Sequence, residues 1–203
     1  MTNAAPMGAR LTTPANLLGL LRIALTPVVI VLLVLPFPGS GLIAFVIFVV
    51  AALTDYLDGR VARARGEVSS FGVFMDLTAD KVLVAGVLIA MVQVGLVPAW
   101  IVATILIREF VIQGVRQLAA TDNVVIAARA LGKSKTLTTL AAMAILLLAF
   151  DAEHGGPTAA LGVSGTLVTA GLWLMIVATA LTVISAIDYL AGASRILMGR
   201  SSG

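Results

Sequence analysis

The sequence predicts an all-α, polytopic integral membrane protein with six transmembrane helices, short loops and both termini in the cytoplasm. Of its 203 residues, 60% are hydrophobic and only 11% are charged, and the mean hydropathy is +1.11. Because soluble domains carry roughly 25% charged residues, this composition excludes a soluble or a disordered protein. The absence of cysteine excludes a disulfide scaffold and a zinc–thiolate site. Since a spanning helix needs about 20 apolar residues, we expect about six spans in a single membrane domain, residues 1–203.

Uncharged stretches and the turns between them define the predicted spans. Charged residues and histidine are absent from four long stretches, which are 23–54, 82–107, 136–150 and 155–187. Segments rich in Pro and Gly, near 36–41, 95–98 and 151–157, separate the spans. The predicted helices lie near 15–35, 42–64, 71–94, 98–120, 134–150 and 166–190. Residues 158–165 are either a loop or the start of the last span, and a short interfacial segment is expected near 11–20.

The basic residues predict the orientation. All thirteen Lys and Arg lie in the N-terminus, in the loops near 60–70 and 116–135, in the C-terminus, or in the adjoining halves of the helices. The three opposite turns contain none. By the positive-inside rule, both termini and the two basic loops are cytoplasmic. These basic residues are not interleaved with aromatic residues, so they do not indicate nucleic-acid binding.

Four aspartates lie where a membrane helix is expected to be apolar. Asp55 and Asp58 are near the cytoplasmic end of the second predicted span, and Asp76 and Asp80 are at a similar depth in the third. A carboxylate at a helix centre costs roughly 2.5–3.5 kcal/mol, and less near the interface. The i,i+3 and i,i+4 spacings place each pair on one helix face, and the two helices are consecutive and antiparallel. Four oxygen donors without His or Cys predict a site for Mg²⁺ or Mn²⁺.

The alternative for these acids is a set of structural salt bridges with nearby basic residues, namely Arg60, Arg63, Arg65 and Lys81. Four acids on two adjacent helix faces favour the metal site over this alternative.

The residues around the acids indicate a phosphate ligand. Gly59 follows the second aspartate directly, and Gly72 lies one turn before the third. Glycine lowers helix stability by about 1 kcal/mol relative to alanine, which is tolerable where a ligand approaches the backbone. The alternative explanation for these glycines is ordinary packing between membrane helices. Arg63 lies one turn beyond Gly59, in reach of a phosphate oxygen. The small side chain of Ala62 leaves space on the same helix face. The pattern predicts a phosphate or diphosphate ligand and phosphoryl transfer.

The stretch from Asp55 to Asp80 reads DxxDGxxARx8GxxxDxxxD without departure, and it resembles the signature of the CDP-alcohol phosphotransferase family. The resemblance implies transfer of a phosphatidyl group from a CDP-linked lipid to an alcohol, with release of CMP. It also implies a homodimer in a bacterial cell (inner) membrane, embedded among membrane lipids, with the active site facing the cytoplasm.

The same resemblance implies roles for individual residues. The metal ligands, for one or two Mg²⁺ or Mn²⁺ ions, are Asp55, Asp58, Asp76 and Asp80. Asp80 is also the implied base that takes the proton of the acceptor hydroxyl. The implied contacts to the CDP-lipid are Asp55, Asp58, Gly59, Ala62, Arg63, Ser69 and Gly72.

A second constellation, of basic residues, indicates the acceptor. Arg108 and Arg116 are eight residues apart on one face of the fourth span, and Lys133 and Lys135 begin the fifth. Because Glu109 and Asp122 supply too little negative charge to balance all four, the cluster predicts an anionic partner such as an acceptor that carries a phosphate. The alternative is that the cations here snorkel to anionic lipid headgroups, which is favoured for Lys135 and Arg129 and less for Arg108, deeper in its span.

Within the family, three segments resemble the bacterial phosphatidylglycerophosphate synthases; they are Asn16-x5-Arg22, Arg108-Glu109-x6-Arg116 and Gly132-Lys133-x-Lys135-Thr136. This resemblance implies CDP-diacylglycerol and sn-glycerol 3-phosphate as substrates in phospholipid biosynthesis. Gly19, Gln113 and Thr139 stand where that group usually has Thr, Ser and Gln. Another acceptor, such as an inositol phosphate or another alcohol, is therefore the alternative within the enzyme class.

A cation-coupled transporter is the alternative from another class. It predicts acids near the midplane of the membrane, broken helices and repeat symmetry. The aspartates instead cluster at one side, and the sequence has no detectable repeat.

Overall fold

The structure, a computed structural model, describes residues 14–65, 70–121 and 130–200, with the side chains of 17–54, 78–119, 132 and 134–194. All regular secondary structure in these ranges is helical, which confirms the predicted all-α class. The six long helices are α1 (Pro14–Val34), α2 (Ser40–Arg65), α3 (Ser70–Gln93), α4 (Ala99–Thr121), α5 (Ala130–Glu153) and α6 (Ser164–Arg200). A short 3₁₀-helix, Pro157–Leu161, precedes α6.

The predicted turns lie where glycine adopts a left-handed backbone. Gly39 has φ 97° between α1 and α2, and Gly95 has φ 75° between α3 and α4. Residues with a Cβ adopt these values only at a cost, so glycine permits the backbone conformation at both positions. Within 158–165, the 3₁₀-helix ends at Gly162, which also has a positive φ of 65°. That segment is therefore a separate short helix rather than the start of the last span.

The bounds of the last helix were predicted wrongly. α6 continues to Arg200, whereas the predicted helix ends at 190. The prediction ended the helix where the apolar run gives way to charged residues. A change from apolar to charged residues is expected where a helix leaves the membrane, but it does not break the backbone hydrogen bonds of the helix. α6 contains no proline that would interrupt them. α5 likewise begins at Ala130 and ends at Glu153, outside the apolar run of 134–150 that was used to predict it.

Within the part of the chain that the structure describes, three helical segments have the length and apolarity of membrane spans, and they are Leu17–Val34, Ser134–Glu153 and Ser164–Ser194. A shorter apolar segment, Ser40–Thr54, begins α2. Large apolar side chains such as Trp100, Phe110 and Trp173 are exposed, as in helices that face lipid. The chain is thus a multi-pass integral membrane protein. Six spans, a single domain and an interfacial segment near 11–20 stay predictions.

The residues group into two compact units. The first comprises Met1–Val94 and Leu147–Ser164, and the second comprises Gly95–Leu146 and Gly165–Gly203. In the first, α1 packs along α3 and against α2. Gly86 of α3 allows this close approach, because a Cβ there would lie 2.6 Å from Cγ2 of Thr26 on α1. Small residues at such positions are typical of helices that pack in lipid.

A buried carboxylate joins α5 to the start of α2 in the first unit. Asp151 is completely buried and accepts hydrogen bonds from the backbone N–H of Leu42 (3.0 Å) and of Thr158 (3.0 Å). The Thr158 hydroxyl donates a third, at 2.7 Å. Leu42 lies in the first turn of α2, whose N–H groups have no partner within the helix. Asp151 thus caps α2 from a distant point in the chain.

Gly41 allows the backbone of Asp151 to approach α2, and replacing it with alanine is expected to destabilise the protein. A Cβ at Gly41 would lie 2.5 Å from the Asp151 backbone nitrogen and 2.7 Å from its Cα, neither of which can move freely. Overpacking typically costs about 1–3 kcal/mol, so the Tm of G41A in detergent should fall by several degrees. Gly165, whose Cβ would meet nothing within 4 Å, provides the control G165A, which should keep the Tm of the original protein. Equal Tm values for the two variants would contradict this account.

Candidate active site

The four aspartates of the acidic motif lie on α2 and α3, on either side of residues 66–69. Asp58 on α2 and Asp76 on α3 are each about two helical turns from this connection, and Asp55 and Asp80 are each about three turns from it. α2 and α3 are in contact. The two acidic pairs lie at similar distances along their helices from residues 66–69, as their predicted convergence requires.

Most side chains of this motif lie outside the described residues, and these are Asp55, Asp58, Ala62, Arg63 and Asp76. Ser69 lies outside the described ranges altogether, while Gly59 and Gly72 lie on the helical backbone of α2 and α3. Asp80 is described and is half-buried, next to the fully buried Ala79. Among the described side chains, no three metal-ligating residues come together. The metal ligands and CDP-lipid contacts accordingly stay predictions.

The donor set of the motif nevertheless fits a divalent metal ion. All four predicted ligands are carboxylates carried by regular helix, at i,i+3 on α2 and i,i+4 on α3. Carboxylate oxygens are the ligands of hard cations such as Mg²⁺ and Mn²⁺. α2 and α3 supply two carboxylates each, so that the residues present suit such an ion.

A basic cluster in the second unit joins α4 to α5. Nη1 of Arg108 donates a hydrogen bond to Oε1 of Glu109 at 3.0 Å, and Nζ of Lys135 donates to the same oxygen. The Arg108 and Lys135 side chains are only 11% and 8% exposed. Two of the four predicted acceptor residues are thus brought together through a shared carboxylate. Snorkelling is wrong for Lys135, because its ammonium is buried and paired with Glu109.

α6 contributes a further residue to this cluster, Ser185, which the sequence analysis did not identify. Nη2 of Arg108 donates to the hydroxyl of Ser185 at 3.0 Å, and this hydroxyl in turn donates to the Thr182 carbonyl at 3.0 Å. A sequence signal was available, because Thr182, Ser185 and Tyr189 are polar residues on one face of an apolar helix, at i, i+3 and i+7. The serine was missed because hydroxyls that bond to their own helix are common in membrane spans.

The other predicted acceptor residues are placed differently. Arg116 is exposed, and its guanidinium carbon lies 5.3 Å from the ring centroid of Tyr189 on α6, a cation–π arrangement. The Tyr189 ring is buried against Ile112 of α4. The side chain of Lys133 lies outside the described residues. Arg108 and Arg116 are therefore both held against α6, but by different side chains.

An apolar groove of about 320 Å³ runs beside Arg108, between α4 and α6. Its apolar lining includes Ile107, Val111, Val183 and Ile187. Arg108 also lines this groove, and its guanidinium bonds to Glu109 and Ser185. Polar partners of this kind explain how α4 accommodates an arginine in its middle.

Comparison with known proteins places the chain among lipid transferases. Residues 12–187 match the family described as CDP-alcohol phosphatidyltransferase. A CDP-diacylglycerol–glycerol-3-phosphate 3-phosphatidyltransferase of Bacillus subtilis is 39% identical over 145 residues, which cover 66% of this chain and 75% of that protein. A probable phosphatidylglycerophosphate synthase of Mycobacterium tuberculosis is 36% identical over 197 residues, covering 94% and 86%. A CMP-forming cardiolipin synthase of Oryza sativa is 31% identical over 207 residues, covering 95% and 61%.

The matched region contains the whole acidic motif and the cluster of Arg108, Glu109 and Lys135, so the two sites described above fall within the similarity. The match extends over most of α1 to α6. The chain belongs to the CDP-alcohol phosphatidyltransferase family.

Proposed function

We propose that this protein transfers the phosphatidyl group of CDP-diacylglycerol to sn-glycerol 3-phosphate, forming phosphatidylglycerophosphate and CMP. The observation that carries this proposal is that the complete acidic motif lies on the consecutive helices α2 and α3, two to three turns from residues 66–69. The names of the Bacillus subtilis and Mycobacterium tuberculosis relatives support the choice of product. No observation favours a transporter over this enzyme class.

The acidic motif would hold the donor. Asp55, Asp58, Asp76 and Asp80 would bind one or two divalent ions, Mg²⁺ or Mn²⁺. Such an ion offsets the negative charge of the diphosphate and of the departing CMP. Arg63 would hydrogen-bond a phosphate oxygen, and Gly59 and Gly72 would leave room for the diphosphate against the helices.

Asp80 would act as the base. The hydroxyl oxygen of the acceptor attacks the phosphorus that carries the diacylglycerol, and the bond from that phosphorus to the CMP oxygen breaks. The acceptor proton passes to the Asp80 carboxylate, and CMP leaves with the bonding electron pair. Since Asp80 is only half-buried, its carboxylate is not sealed inside the helix packing.

The basic cluster would bind the phosphate of the acceptor. Arg108 and Lys135 carry two positive charges and share one carboxylate, Glu109, so these three residues retain a net positive charge. Arg116 and Lys133 would add to it. A dianionic phosphate balances such a cluster in an otherwise apolar setting, whereas a neutral alcohol would leave the charge uncompensated. This charge balance supports glycerol 3-phosphate, and it equally admits an inositol phosphate.

The distribution of Lys and Arg supports an active site on the cytoplasmic side of a bacterial inner membrane, because the acidic motif adjoins a basic loop. CDP-diacylglycerol would reach it from the surrounding membrane lipids. The homodimer that the family resemblance implies is part of the same proposal.

The test is CMP release from CDP-diacylglycerol by the purified protein in detergent with Mg²⁺ or Mn²⁺. Glycerol 3-phosphate, inositol 3-phosphate, inositol, serine and phosphatidylglycerol would be offered one at a time. We expect release with glycerol 3-phosphate, abolished by EDTA and restored by added metal. Release only with another acceptor would support the proposed CDP-diacylglycerol site but would contradict glycerol 3-phosphate as the acceptor. No release with any acceptor, from protein that elutes as a folded species, would contradict the proposed function.

A further inference from the structure

The hydroxyl of Ser185 has a fixed orientation. Ser185 is buried on α6, with only 5% of its surface exposed. Its proton is committed to the Thr182 carbonyl at 3.0 Å, so its lone pairs are available to a donor. Nη2 of Arg108 occupies that acceptor position, also at 3.0 Å. The serine is therefore an oriented acceptor for one particular arginine rather than a freely rotating hydroxyl.

The guanidinium of Arg108 is held from two directions. Nη1 bonds to Glu109 on the same helix, and Nη2 bonds to Ser185 on another helix. Two hydrogen bonds to different nitrogens of a planar group restrict its rotation. Nε has no hydrogen-bond partner within the described part of the chain. A guanidinium has five N–H donors, so donors remain for a ligand once both anchors are made.

We propose that Ser185 is a positioning residue for the acceptor site, which holds the Arg108 guanidinium ready to receive the acceptor phosphate. The proposal rests on the proposed function, since it assigns the acceptor phosphate to Arg108. Ser185 itself contacts Arg108 and the backbone of α6, and it acts on the acceptor only through Arg108.

The consequence of losing Ser185 follows from the remaining partners. Glu109 then becomes the only anchor of Arg108 given by the contacts above, and Glu109 also pairs with Lys135. Without Ser185, the Arg108 guanidinium can rotate toward the Glu109 carboxylate. It must then rotate away again before it can bind a phosphate. The cost falls on acceptor binding, and the chemistry of the donor diphosphate is unaffected.

The experiment compares four single variants for steady-state CMP release and for Tm. S185A removes the hydroxyl, S185T keeps it, and S185C keeps the volume with a weak acceptor. S194A is the matched control, because the Ser194 hydroxyl also bonds to its own helix, at Ala191 (3.1 Å), but this bond lies on an exposed part of α6. We expect S185A to raise the KM for glycerol 3-phosphate roughly tenfold, as for loss of a hydrogen bond to a charged group. The kcat and the KM for CDP-diacylglycerol should stay within about twofold, and S185T and S194A should resemble the original protein.

A double-variant comparison separates positioning from a structural role. In an R108A background, S185A should cause no further rise in the KM for glycerol 3-phosphate, because the residue that it positions is gone. An equal rise in both backgrounds would overturn the proposal, as would an unchanged KM in S185A. If S185A does not accumulate as folded protein, S185C provides the same readout with an intermediate KM. Absence of CMP release from the original protein would instead contradict the proposed function, so the two failures are distinguishable.

Discussion

Replacing Asp80 with asparagine is expected to lower kcat for CMP release by roughly 10³-fold, because a positioned general base contributes about 10²–10⁴-fold. The amide keeps an oxygen that can contact a metal ion but cannot accept the proton of the acceptor hydroxyl. CDP-diacylglycerol binding should persist, since three carboxylates of the motif remain. Initial rates at saturating acceptor, together with a direct measurement of CDP-diacylglycerol binding, test this expectation.

The control for D80N is a carboxylate far along the chain from the motif. Glu153 is exposed at the end of α5, so E153Q removes one negative charge without touching the acidic motif. Its kcat should equal that of the original protein. Near-normal turnover by D80N would remove Asp80 as the base, and loss of CDP-diacylglycerol binding in D80N would assign it to donor binding instead.

Replacing Arg108 with alanine is expected to raise the KM for glycerol 3-phosphate roughly 10- to 100-fold, which corresponds to the loss of hydrogen bonds between charged groups. The KM for CDP-diacylglycerol should change far less, because the acidic motif is carried by other helices. The variant should fold, since Lys135 still neutralises Glu109 after the arginine is removed. Steady-state kinetics with each substrate varied in turn measures the two KM values.

Thr104 supplies a matched control for R108A. It lies one turn before Arg108 on α4, lines the same apolar groove, and directs its hydroxyl to the Trp100 carbonyl at 2.8 Å. T104A therefore alters the same region of α4 without changing its charge, and both KM values should stay unchanged. Equal rises in the two KM values of R108A would refute separate binding of donor and acceptor.

The helices and the acidic motif were predictable because both depend on local order along the chain. Uncharged stretches with Pro and Gly between them indicate apolar helices and turns, and the structure has helices at all six predicted positions. Spacings of three and four residues are enough to place Asp55 with Asp58, and Asp76 with Asp80, on common helix faces. The end of α6 was not predictable from composition. The apolar run ends where a helix is expected to leave the membrane, whereas α6 itself continues to Arg200.

An α-helical membrane protein with a family-specific acidic motif and a cluster of basic residues follows from the order of residues along the chain. How the basic cluster is held together depends on contacts between helices. Glu109 joins its neighbour Arg108 on α4 to Lys135 on α5, 26 residues further along the chain, and Ser185 reaches Arg108 from α6. Asp151 caps α2 in the same non-local manner. The physical reason is that a helical period relates residues within a few turns, whereas contacts between helices depend on how their faces pack.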